Sequence, residues 1–268
     1  MSIRFITGRA GTGKSTFIHK EIVQDLIDFP LGPPIFMLVP DQMTFQTEYE
    51  LTNSYGLSGI MRAQVLTFKR LAWFILQETG GIAKEKVDAV GYRMMLRRIL
   101  EEHKDEFALF KNAAGKPGFT KEIEKILKEF SQYNVSTQTV DFLIAQLQLQ
   151  QASPTLLSKM EDLKIVLQQL EERLGTGFID GDGFFETLME KMPYSKSIQE
   201  AHVYLDGYMA FTGQEFELLK VLIRYAKRIT IVLSVDNLQK DLAESSLFHR
   251  PAKTYEKILN AVQDMNQL

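Results

Sequence analysis

The chain opens on a short apolar run, Ile3 to Thr7, that enters a glycine-rich turn; Thr16 to Ile27 then places apolar residues at helical spacing. The pattern predicts strand, loop and helix. Pro33 and Pro34 punctuate the chain before Ile35-Phe-Met-Leu-Val39, a continuous apolar run of the kind that makes a strand buried on both faces. Ala63 to Thr67 predicts a shorter strand, and Phe68 to Glu78, with Leu71, Phe74 and Ile75 on one face, a following helix. From Val87 to Met192 the texture changes. Long amphipathic stretches at Tyr92 to Lys104, Thr120 to Tyr133 and Thr155 to Leu174 are divided by turn signals at Ala114 to Gly118, Ser153-Pro154 and Gly175 to Gly177. Gln146 to Gln151 is a short glutamine-rich segment, and no internal repeat is visible. Strand-like runs resume at His202 to Asp206 and Ile229 to Ser234, with a helix over Gln214 to Ala226 in which Phe216, Leu219 and Leu222 read as core.

Strands alternating with helices predict a parallel sheet covered on both faces, and right-handed crossovers make a doubly wound order the simplest topology. The expected class is therefore α/β: a RecA-like parallel sheet built from residues 1–86 and 193–268, interrupted by a mostly helical insertion at 87–192. A length of 268 residues, 45% of them hydrophobic, is enough for a substantial core. A net charge of −3 provides no overall cationic field, so contact with nucleic acid has to come from a local patch or a partner. The absence of cysteine excludes disulfides, thiolate metal sites and iron–sulfur clusters within these residues. No apolar run approaches membrane-spanning length, and the chain is expected to be soluble and cytoplasmic.

The decisive chemistry lies between the first strand and the first helix. Gly8-Arg9-Ala10-Gly11-Thr12-Gly13-Lys14-Ser15 matches G-x-x-x-x-G-K-[ST] at every specified position and has the strand-to-helix context that pattern needs. Its glycines let backbone N–H groups turn toward a phosphate, the helix N-terminus adds partial positive charge, Lys14 reaches the β and γ oxygens, and Ser15 ligates Mg²⁺. The implied ligand is a nucleoside triphosphate, ATP with Mg²⁺. Such sites add a carboxylate at the end of a neighbouring buried strand, and Asp206, closing Val203-Tyr-Leu205, is the candidate. Gly207 follows it where active helicases place a water-activating Glu, and Glu215 reads as an ordinary charge at a helix N-terminus. Binding with little or no hydrolysis is the expectation, and no catalytic residue is assigned.

Further segments resemble the superfamily 1 DNA helicases of the UvrD type where those contact single-stranded DNA: Leu38-Val-Pro-Asp-Gln-Met-Thr-Phe45, Val65-Leu-Thr-Phe-Lys-Arg-Leu-Ala72 and Phe178-Ile-Asp-Gly-Asp-Gly-Phe-Phe185. Val39 to Phe45, Arg62 to Val65, Tyr204 to Tyr208 and Phe211-Thr212 are most similar to the amino-terminal region of the AddB (RexB) family, subunits of bacterial AddAB helicase–nucleases. The resemblance implies a 1B-like helical insertion and DNA contacts at Asp41, Gln42, Thr67, Phe68, Lys69 and Arg70. It also implies an AddA-type motor subunit as partner and a role in processing double-strand breaks for recombinational repair, with helicase and exonuclease activity in the complex and Chi recognition in the degenerate half. The family's nuclease domain and iron–sulfur cluster lie in a carboxy-terminal region, so the chain reads as a fragment without nuclease or unwinding activity of its own. Ser234-Val-Asp-Asn237 stands in place of a G-D-x-x-Q segment, and no glutamine-bearing motif precedes Ile3.

Other signals are weaker. Asp180 and Asp182 begin like a calcium loop, but Phe184 occupies the fifth position and no Glu the twelfth. His19, His103, His202 and His249 lack ligand spacing. Arg93, Arg97 and Arg98 form a stripe that reads as a solvated face. A free-standing P-loop ATPase or small-molecule kinase is the alternative reading; the long helical insertion and the lack of a lid bearing arginines argue against it.

Overall fold

In the computed structural model, residues 2–53, 61–80, 85–175, 178–179, 184–238 and 240–266 are described. In chain order they form β1 (Ser2–Thr7), α1 (Lys14–Asp28), β2 (Ile35–Leu38), α2 (Thr44–Asn53), β3 (Ala63–Leu66), α3 (Phe68–Thr79), β4 (Glu85–Lys86), α4 (Ala89–Glu102), α5 (Pro117–Gln132), α6 (Thr137–Leu149) and α7 (Pro154–Gly175). After these come β5 (Phe178–Ile179), α8 (Phe184–Lys191), α9 (Lys196–Glu200), β6 (His202–Leu205), α10 (Gly213–Tyr225), β7 (Arg228–Leu233) and α11 (His249–Asn266). Within the sequence segment Phe178 to Phe185, residues 180–183 lie outside the described residues, and with them Asp180 and Asp182.

The large sheet is wholly parallel, with strand order β1-β7-β6-β2-β3. The order means that β1, which leads into the glycine-rich turn, and β6, which leads into Asp206, are separated by one strand. At the usual strand spacing that puts their carboxyl ends about 10 Å apart, a distance a metal-bound polyphosphate can bridge. Side-chain alternation divides the apolar runs between the sheet faces. Ile35, Met37 and Val39 pack with Ile18, Ile22 and Val23 of α1 and Leu51 of α2. The ring of Phe36 points the other way and meets Phe74 of α3 edge-on, with centroids 5.1 Å apart. The fold is an α/β, RecA-like parallel sheet with helices on both faces and a helical subdomain inserted between β3 and β6.

Two compact units result, one of Met1–Gly81 with Thr187–Leu268 and one of Ile82–Glu186. The second has its own core, drawn from Leu96, Ile99 and Leu100 of α4, Ile123 and Leu127 of α5, Val140 and Ile144 of α6, and Leu163, Val166 and Leu170 of α7. Beneath it Asp162, 1% exposed, accepts the backbone N–H groups of Ala108, Leu109 and Phe110 at 2.9, 2.8 and 2.8 Å. Helices α2 and α6 are not marked by the apolar pattern. In α6 glutamines are interleaved with Val140, Leu143, Ile144 and Leu147, which blurs the amphipathic contrast, and Gln146 to Leu149 of the glutamine-rich segment form its last turn. The arginine stripe of α4 is held internally: Arg93 by Glu124 at 2.7 Å, Arg97 by Glu101 at 2.9 Å and Arg98 by Glu102 at 2.6 Å. No described helix is long and apolar enough to cross a membrane.

Candidate nucleotide-binding site

At the carboxyl end of β1 the turn from Gly8 to Gly13 is shaped by backbone conformation. Gly11 and Gly13 have φ of +80° and +82°, in the left-handed region that side-chain-bearing residues reach only at a cost of about 1–2 kcal/mol. A β-carbon at Gly8 would press on the Thr12 hydroxyl, which donates to the Arg9 carbonyl at 2.9 Å and closes the turn. Helix α1 begins immediately, with Gly13 as a cap that has no side chain and no acidic residue in the first turn. The first N–H bonded back into the helix is that of Phe17, to the Gly13 carbonyl at 2.8 Å. The preceding amides and the positive end of the helix dipole are therefore open to an anion at the turn.

Lys14 lies across this turn, its ammonium donating to the carbonyls of Gly8 at 2.8 Å and Arg9 at 2.7 Å. Burial holds the ammonium below the ordinary lysine range, against the attraction of Asp206. Asp206 is 6% exposed; its backbone N–H donates to the Leu38 carbonyl at 3.1 Å and its Oδ1 accepts the Gly207 N–H at 2.8 Å. The carboxylate is thus pinned at the end of β6. Among the described residues no group of three or more His, Asp or Glu side chains is gathered to hold a metal. A donor set of one hydroxyl and one carboxylate, Ser15 and Asp206, fits Mg²⁺, which keeps most of its shell as water and phosphate oxygen.

The residue after Asp206 is fixed by packing as well as identity. Gly207 has φ of +81°, and a β-carbon there would overlap the Met43 sulfur and press on Pro40. A glutamate at 207 strains the backbone, and Met43 and Pro40 must give way for its β-carbon. Glu215 is also committed elsewhere: it forms a capping box on α10, accepting the Thr212 N–H at 2.9 Å while its own N–H donates to the Thr212 hydroxyl at 3.2 Å.

The residues singled out for DNA contact follow the carboxyl ends of β2 and β3, which are neighbours in the sheet. Asp41 and Gln42 are exposed in a 3-10 turn ahead of α2, and Lys69 and Arg70 are exposed on the first turn of α3. Thr67 and Phe68 differ. The Thr67 hydroxyl accepts the Arg70 N–H at 3.3 Å as the cap of α3. Phe68 is 2% exposed, its ring packed on Tyr208 and Phe211 at centroid distances of 5.5 and 6.1 Å. Its ring is covered by protein because Phe68 lies on the side of α3 turned to Tyr208 and Phe211, while Lys69, the next position round the helix, faces solvent.

His19, four residues after Ser15 on α1, is buried, 3.5 Å from Glu50 of α2 and within the field of Asp206. Burial holds its imidazole below the ordinary range despite both carboxylates. A second residue, to which the sequence assigns no role at this turn, is Asp236, just beyond β7 in the Ser234 to Asn237 segment, which pairs with Arg9 at 2.5 Å. The His19 position is signalled by its one-turn spacing from Ser15, whereas Asp236 is near the loop only because β7 lies beside β1.

Residues 5–267 match the sequence model of the family described as ADDB, N-terminal. The chain belongs to that family. Its similarity extends to the B subunit of an ATP-dependent helicase/deoxyribonuclease from Lysinibacillus sphaericus (strain C3-41), 51% identical over 258 residues, 96% of this chain and 22% of the relative. The proteins of the same description from Bacillus pumilus (strain SAFR-032) and Bacillus subtilis (strain 168) are 38% and 36% identical, over 98% and 99% of this chain and 23% of each relative. The chain thus spans less than a quarter of the length of these curated relatives.

Proposed function

We propose that this region binds ATP with Mg²⁺ and contacts single-stranded DNA as the degenerate motor half of an AddB-type subunit. The complex would be a helicase–nuclease that processes double-strand breaks for recombinational repair in the cytoplasm. The observation that carries the nucleotide reading is the arrangement at the edge of the sheet: a glycine turn with left-handed positions, Lys14 folded over it, and an uncapped helix, with the buried Asp206 two strands away. Gly8 to Ser15 would cradle the phosphates and Ser15 with Asp206 the cation. Asp41, Gln42, Lys69 and Arg70 would meet the DNA, and Thr67 and Phe68 would hold that surface in shape from behind. The occupied positions of Gly207 and Glu215 support binding without efficient hydrolysis, with an AddA-type partner supplying the motor and its power stroke. Family membership also weighs against a free-standing kinase or ATPase.

Titration of the 268-residue chain with fluorescent ATP and with a single-stranded oligonucleotide, alongside Lys14→Ala, tests this reading. Loss of the charged donor is expected to weaken ATP binding at least about tenfold, with DNA affinity kept. Binding of neither ligand by the unsubstituted chain would sink it.

A further inference from the structure

Both cations at the phosphate turn are held by acceptors of the chain itself. Lys14 is held by the carbonyls of Gly8 and Arg9, and the Arg9 guanidinium by the carboxylate of Asp236 at 2.5 Å. The second pair is set by the fold. Thr7 is in register with Leu233 across β1 and β7, so the turn after one strand and the turn after the other emerge side by side. Asp236 is further fixed from beneath. The buried Asp241 accepts the N–H groups of Asp236 and Asn237, each at 2.8 Å, and is itself held by the Ser246 hydroxyl at 2.9 Å. An ion pair between two freely moving exposed side chains contributes little, but here the backbone of each partner is anchored. Arg9 draws the Asp236 carboxyl below its ordinary range, and Lys240 adds to the effect. The carboxylate therefore stands ionised at the rim of a turn built for phosphate.

Resting on the nucleotide reading above, we propose that Arg9 and Asp236 set the preference between triphosphate and diphosphate. Asp236 competes with a terminal phosphate for the Arg9 guanidinium. A nucleotide carrying a γ-phosphate has the charge to win that competition, moving Arg9 from Asp236 onto the phosphate; a diphosphate leaves the pair closed. Arg9 is then a specificity-determining contact and Asp236 its internal competitor. Arg9 and Asp236 are 65% and 40% exposed at the side chain, so the exchange takes place in water and its effect is modest.

The test compares the affinities of the 268-residue chain for Mg²⁺ with fluorescent ATP and with fluorescent ADP, for the unsubstituted protein, Asp236→Asn, Arg9→Ala, Arg9→Lys and Lys14→Ala. Asp236→Asn is expected to tighten ATP about two- to fivefold and to leave ADP unchanged. Arg9→Ala should lower the ATP-to-ADP affinity ratio by a similar factor, Arg9→Lys should keep part of the preference, and the double variant Arg9→Ala with Asp236→Asn should match Arg9→Ala alone. An unchanged ATP-to-ADP ratio in Asp236→Asn, or equal losses for both nucleotides in Arg9→Ala, overturns the proposal and leaves a structural ion pair. In either case loss of binding in Lys14→Ala keeps the nucleotide reading standing. If the unsubstituted chain binds neither nucleotide, that reading falls and this inference with it.

Discussion

Helix α4 of the helical unit begins at Asp88, whose carboxylate accepts the Gly91 N–H at 2.6 Å; helix α1 of the sheet unit begins at Gly13, which offers its amides nothing. The same contrast holds for charge. In α4, Arg93, Arg97 and Arg98 are each bound by a carboxylate one helical turn away or on the neighbouring helix, whereas Lys14 rests on backbone carbonyls and Lys69 and Arg70 form no ion pair among the described residues. In the helical unit the cap and all three arginines are met by carboxylates; at the carboxyl edge of the sheet the first amides of α1 have no side-chain cap, and Lys69 and Arg70 no ion pair among the described residues. On the reading proposed above, that difference separates groups used for folding from groups kept for a ligand better than residue type does, since an arginine stripe and a glycine-lysine turn are equally basic on paper.

Substitutions that undo internal satisfaction should cost the most. Asp162→Ala strands three backbone N–H groups in the helical unit and should lower stability by about 3–5 kcal/mol, read from the urea midpoint; a loss below about 1 kcal/mol would mean that water replaces the carboxylate. Gly207→Glu puts back the residue type that active helicases carry. It should destabilise by about 2–4 kcal/mol through a left-handed backbone and overlap with Met43, and it should gain no ATPase activity. Asp88→Ala should cost about 1 kcal/mol in thermal or chemical unfolding, the ordinary worth of a cap. Gly13→Ser probes the opposite end of the comparison: a modest loss of stability from its φ of +82°, accompanied by weaker ATP binding as the turn is distorted.

The smallest effect concerns pH. His19 has a folded-state pKa below that of the unfolded chain, because burial outweighs the pull of Glu50 and Asp206. Below the unfolded value, about 6.5, the unfolded state binds more protons, so stability should fall as pH drops from 7 toward 5. His202 shifts the same way. His19→Asn should flatten the slope measured in urea at pH 7, 6 and 5; an unchanged slope would place the titration elsewhere.

Much of the sheet unit is legible in the amino-acid sequence. The glycine turn between β1 and α1, the continuous apolar run Ile35 to Val39 and the carboxylate closing Val203 to Leu205 are local signals, because strand-turn-helix geometry and glycine conformation are decided within a few residues. Strand order is not local, and so the pairing of Arg9 with Asp236 stays hidden: 227 residues separate them, and only β7 lying beside β1 joins them. Phe68 and Lys69 show the finer limit. Adjacent residues of a single motif face opposite ways, and whether an aromatic ring stacks on a base or on Tyr208 depends on packing that motif spacing does not encode. Glu215 likewise becomes a helix cap only once Thr212 is seen three residues before it in capping geometry.

On the proposed reading the site holds ATP without hydrolysing it. The most direct test is steady-state ATP hydrolysis by the 268-residue chain at saturating Mg²⁺ and ATP, with and without single-stranded DNA, on a preparation shown to bind fluorescent ATP. Saturable binding with turnover well below roughly 1 s⁻¹, the lower end of ordinary enzyme rates, is expected. Turnover above that rate, abolished by Lys14→Ala, would contradict that reading.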